Sequence, residues 1–146
     1  MTEQTPYHLL GEDKGIRALA NAFYDAMDDL PEAEHIRKMH ARSLTDVKEK
    51  LYEYLSGWLG GPHHYLEKYG TVCLTDPHKP YEISESARDQ WLCCWDKALD
   101  QVGASGLTFF GRVESFKLAF FLSASVVSLY LCSVLKPEKE DCGLLN

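Results

Sequence analysis

The sequence predicts an all-α domain. Three sets of apolar residues recur at helical spacing: Ile16, Leu19, Ala20, Phe23, Tyr24 and Met27; Val47, Leu51, Tyr54, Leu55 and Trp58; and Ala87, Trp91, Cys94, Trp95, Ala98, Leu99 and Val102. No stretch alternates apolar and polar residues as a half-buried strand would. The breaks between the sets carry Pro31, Gly60-Gly61-Pro62 and the run from Gly103 to Gly106, which are turn and helix-stop residues. About five or six helices joined by short loops make one helical layer structure.

The chain has 146 residues and no linker-like stretch divides it, so 1–146 reads as a single domain with a polar tail from Pro137 to Asn146. A chain of this size buries roughly 70% of its unfolded surface, which is enough for a core. Its 22 acidic residues outnumber 15 basic ones, and a net charge of −7 argues against general affinity for nucleic acid. Cys73, Cys93, Cys94, Cys132 and Cys142 are odd in number and form no CxxC pair, against both a zinc site and a disulfide framework. With no apolar stretch after a basic start, they point to a reducing cytoplasm. Cys93 and Cys94 read as small apolar helix residues.

In chain order, a first helical turn is expected to pack by Tyr7, Leu9 and Leu10. A helix then starts near Gly15 and ends near Leu30-Pro31, turning Tyr24 inward. As a core residue Tyr24 would bond a backbone acceptor; otherwise its hydroxyl serves a ligand pocket. Pro31 suits the first turn of a short helix through Ala33, Ile36 and Met39, which delivers His40 at its end. A histidine there can satisfy the helix dipole or act as a ligand-facing group. Ser43 with Asp46 resembles a capping box for the central helix, and Asp46 and Lys50 are spaced to pair. Gly60 and Gly61 stop that helix and Pro62 prevents its resumption; no strand precedes the glycines, so they are not a phosphate loop.

His63 and His64 are adjacent and read as polar loop residues. Tyr65, Leu66 and Tyr69 anchor a helical turn. Pro77 and Pro80 flank His78 and predict an irregular segment that holds it by backbone constraint. Ser84 caps the next helix, which carries Trp91. A last helix is expected over Phe109 to Leu135, and its 18 uncharged residues from Leu118 reach the length of a membrane span. Its four serines favour a buried terminal helix instead.

The wide aromatic face of the central helix, set opposite a single constrained histidine, is what a buried flat cofactor with one axial ligand requires. Phe23-Tyr24, IRKMH at Ile36 to His40, YLSGWLGGP at Tyr54 to Pro62, YLEKYG at Tyr65 to Gly70, His78 before Pro80 and an aromatic, and RDQWLCCWDKAL at Arg88 to Leu99 together resemble the group II truncated haemoglobins. The similarity runs from about residue 5 to about 102.

The resemblance implies a two-over-two helical sandwich around haem b, with His78 as the iron ligand. It implies a distal side of Tyr24, His40, Val47, Leu51 and Trp91, in which Tyr24 and Trp91 donate to O2 and His40 extends the network or donates directly. Tyr54, Tyr65 and Lys68 complete the expected cofactor contacts. The family usually carries arginines just before the iron-binding histidine. Here the run is Thr75-Asp76-Pro77, so Lys79, Lys68, His63 or His64 must replace the propionate pairing, and lysine is not equivalent to arginine at a bidentate site.

The implied function is binding of O2, with NO, CO or peroxide as further ligands, and redox conversion of them with a separate reductase. A helical interaction module whose groove of Tyr54, Trp58, Trp91 and Trp95 receives a partner is the rival reading. His78 between prolines discriminates against it, since a packing groove has no use for that residue.

Overall fold

The computed structural model describes residues 5–73 and 75–104. The described elements are helical: α1 (Pro6–Leu9), α2 (Glu12–Asp29), a 3-10 turn (Pro31–Ala33), α3 (Glu34–Lys38), α4 (Thr45–Trp58), α5 (His64–Tyr69), α6 (Thr75–His78) and α7 (Glu85–Gln101). The expected helix over Phe109 to Leu135 lies outside the described residues.

The centre of the fold is α2, which packs on both α4 and α7, while α5 lies on α4 and α3 on α7. All six members of its predicted apolar set are buried. Phe23, Ile16, Leu19, Met27, Leu55, Cys94 and Trp95 form the deepest core. Each fully buried large side chain contributes roughly 1.5–3 kcal/mol by leaving water, so this cluster outweighs any single polar contact. No helix among the described residues is long and apolar enough to cross a membrane.

Local chemistry explains most boundaries. Ser84 Oγ accepts from the Ala87 amide at 3.2 Å, so α7 has the predicted cap. At the start of α4 the expected capping box is absent: the cap residue is Leu44, and Ser43 Oγ accepts from the Thr45 amide at 3.4 Å and donates to the Thr45 hydroxyl at 3.2 Å. Asp46 and Lys50 do not pair; Lys50 turns toward the Tyr69 ring, with Nζ 6.0 Å from its centroid. Leu9 is exposed, because the one-turn α1 buries a single side chain, Tyr7.

The Gly60-Gly61 stop does more than end a helix. Gly60 has φ +89°, the left-handed region, and Gly61 lets the Tyr7 ring lie directly on the backbone. The Tyr7 amide also donates to the Leu59 carbonyl at 3.0 Å. A Cβ on Gly61 would sit 2.4 Å from Tyr7 Cδ2. Gly61→Ala should therefore lower stability by about 1–3 kcal/mol, read as a lower urea midpoint. An unchanged midpoint would show that the Tyr7 approach does not constrain the corner.

Candidate functional site

Tyr24 projects from α2 and is 9% exposed. Its ring meets that of His40 edge-on at 5.6 Å and that of Phe23 at 5.1 Å. Its hydroxyl has no hydrogen-bond partner among the described residues, and burial alone drives its pKa upward. An acceptor placed beside it would take up that donor.

His40 follows α3, where its Nδ1 lies 2.8 Å from the Ile36 carbonyl. A carbonyl can only accept, so Nδ1 carries the hydrogen, and in the neutral ring Nε2 is left as an acceptor. Burial pulls the His40 pKa below its ordinary value; the charges of His78 and Arg37 act in the same direction, and the Ile36 carbonyl opposes them. Of the two expected contributions, neutral His40 can extend a network but cannot donate to a ligand through Nε2.

Phe23 joins this corner to α7, with centroid distances of 5.9 Å to Trp91 and 4.6 Å to Trp95. Trp91 is half-buried and packs on Tyr54 and Tyr65, which form a small cluster of their own at 5.7 Å, edge to face. Val47 and Leu51 are half-buried on the same side of α4. Trp58, predicted for that face, is 37% exposed because it sits at the final residue of the helix.

His78 is exposed. It does not lie on irregular backbone: it ends the four-residue helical turn α6, closed by the Tyr81 amide donating to the His78 carbonyl at 3.0 Å. Pro77 fits within the first turn of a helix, where its missing N–H is not needed, and so it does not forbid so short an element. The His78 imidazole is near enough to His40 for its charge to be felt there.

Lys68 is held in an ion pair. Its Nζ lies 2.6 Å from Glu53 Oε1, and Glu53 is buried at 7% exposure. His64 is the first residue of α5, not a loop residue, and stacks near Tyr52 with Nε2 3.8 Å from Asp13 Oδ1. Asp13 also accepts from Tyr7 at 2.8 Å and Tyr52 at 2.9 Å, hydrogen bonds that hold its carboxyl low and help push Tyr7 up to about 12, behind burial as the main cause. An open concavity of about 460 Å³ beside Tyr52, Glu53, His64 and Arg17 belongs to this polar network, away from Tyr24. Lys79 and His63 are exposed.

A bacterial-like globin family model matches residues 5–119. The chain belongs to that family. It is 32% identical over 112 residues to the group 2 truncated hemoglobin YjbI of Bacillus subtilis, covering 75% of this chain and 82% of that relative. Among solved structures, it matches a cold-adapted truncated hemoglobin from the Antarctic marine bacterium Pseudoalteromonas haloplanktis TAC125 with TM-score 0.76 and 36% identity, covering 84% of this chain and 99% of the other. A group II 2-on-2 hemoglobin from the plant pathogen Agrobacterium tumefaciens matches with TM-score 0.75 and 33% identity over 86% of this chain and 97% of the other. The globin is therefore a two-over-two truncated haemoglobin of group II, and membership implies a haem with its iron and diatomic ligands.

The residues present fit such a group. An unpartnered hydroxyl on a buried tyrosine, a neutral imidazole acceptor and an aromatic-lined apolar face suit a flat apolar cofactor carrying a polar ligand. Two residues escaped the sequence reading. Phe23 read only as core, although it bridges Tyr24 to Trp91, and Cys73 lies close enough to Tyr54 and Tyr65 to raise both their pKa values, behind burial as the main cause. Neither has a local signal, since both roles depend on contacts between distant segments.

A lowered pKa in the folded state means that the unfolded chain takes up the proton first. The contribution of neutral His40 is thus fully present above pH about 6.5 and is lost as pH falls below that value. In the haem-free protein, His40→Phe should flatten the fall of Tm with pH in this window. An unaltered slope would remove His40 from the pH response.

Proposed function

We propose that this globin holds haem b through His78 and binds O2, with CO, NO and peroxide as further ligands. Tyr24, His40, Val47, Leu51 and Trp91 would line the ligand side, and Tyr54, Tyr65 and Lys68 the cofactor edge. We further infer one domain over 1–146, a cytoplasmic setting, and NO-dioxygenase or peroxidase-like turnover fed by a separate reductase. The observation that carries the reading is the inward-facing Tyr24 ring, 9% exposed and edge-on to His40 at 5.6 Å between centroids. A docking groove for a partner helix gains nothing from such a group.

When bound, haem supplies an iron with one coordination position open to a diatomic ligand. Val47 and Leu51 keep water from the pocket, which strengthens each remaining polar contact. Tyr24 and the Trp91 indole act as neutral donors toward a ligand with partial negative charge. His40 packs edge-on against Tyr24 and helps fix the position of that ring. Lys68 is engaged by Glu53, so it contributes to a propionate only as part of an ion pair. Lys79 is the remaining cation next to His78 in sequence.

His78→Ala should lose the histidine-ligated haem spectrum and regain it with added imidazole. An unchanged spectrum without imidazole would reject His78 as the ligand. Trp91→Phe keeps bulk and removes one donor, so it should cost about 1–3 kcal/mol of ligand stabilisation. That corresponds to a roughly 5- to 150-fold faster O2 dissociation with CO dissociation much less changed. Parallel changes for the two gases would return Trp91 to a packing role.

A further inference from the structure

Trp91, Tyr54, Tyr65 and Tyr69 form a continuous file of oxidisable rings. Trp91 packs on Tyr54 and Tyr65, whose centroids are 5.7 Å apart, and Tyr65 lies 4.5 Å from Tyr69. Tyr54 and Tyr65, in the middle of the file, are each 9% exposed, and Tyr69 at its end is 38% exposed. A second branch from Trp91 to Trp95 at 5.6 Å ends in the core, where Trp95 is fully buried. The tyrosine branch reaches water at Tyr69. At its outer end Lys50 Nζ lies 6.0 Å from the Tyr69 ring centroid, and Lys68 Nζ, paired with Glu53, lies 5.3 Å from it. Packing explains Tyr54 and Tyr65, but it does not require an oxidisable ring at the half-open Tyr69 position.

We propose that these rings relay single electrons from an anionic phenol or enediolate docked at Tyr69 into the haem pocket, giving peroxidase-like turnover of reductants too large to enter it. This rests on the haem reading above. Hydrogen peroxide is the oxidant: with two electrons and two protons it becomes two molecules of water. Two reductant molecules each give up one electron and one proton and leave as radicals. Between them only electrons pass inward from ring to ring; each ring releases its phenolic or indole proton when oxidised and takes one back when re-reduced, and the two protons the reductants release equal the two that peroxide consumes. Lys50 favours an anionic reductant at the outer end.

Mapping radicals in the haem-loaded protein tests this. Equimolar hydrogen peroxide is added with a nitroso spin trap, and the labelled residue is located by peptide mass spectrometry. Label on Tyr69 is expected. Tyr69→Phe should lose it, move the label inward to Tyr65 or Tyr54, and slow peroxide-driven oxidation of a carboxylated phenol. Its absorption spectrum and its peroxide consumption without reductant should be unchanged. Label confined to Cys73 or Trp91, or undiminished phenol oxidation by Tyr69→Phe, would overturn the relay. A normal haem spectrum with unlabelled Tyr69 sinks the relay alone, whereas failure to take up haem sinks it together with the haem reading.

Discussion

The Phe23 ring lies within contact distance of Tyr24, Trp91 and Trp95, at 5.1, 5.9 and 4.6 Å between centroids. It is 2% exposed and sits where α2 crosses α7. Because core side chains are close-packed, this ring sets how far apart the two helices lie. The spacing of Tyr24 and Trp91, one from each helix, follows from it. Site and core are thus one packing problem.

The polar side of the protein is organised around Asp13 instead. Tyr7 and Tyr52 both donate to one of its oxygens, which ties α1 and α4 to the start of α2. Arg17 lies 3.8 Å over the Tyr52 ring and is paired with Glu49, continuing the same seam. The charged members Asp13, Arg17 and Glu49 are largely exposed, so their net worth is small beside the apolar core. Their value is positional: they seat α4, and α4 carries Val47, Leu51 and Tyr54.

The three long helices were legible because each carries several apolar residues at one period, and a tertiary contact cannot easily override so many. The same holds for Tyr24 and Trp91, which fall on those stripes. His78 was legible as a singular residue, but not its turn: a four-residue helix has no periodicity to read. Trp58 matched the stripe of α4 and still emerged exposed, since the stripe outruns the surface it packs against. Asp13 and Glu53 were invisible as organisers. Their partners, Tyr52 across 39 positions and Lys68 across 15, are set by how α2, α4 and α5 meet and not by local sequence.

The account depends on a haem iron held by one histidine with the opposite position open. The absorption spectrum of the purified protein, reduced and then equilibrated with O2 and separately with CO, tests that most directly. The account predicts a Soret band that shifts on reduction and again, differently, with each gas. A protein that stays colourless after equimolar haemin, or whose reduced spectrum is indifferent to both gases, would contradict it.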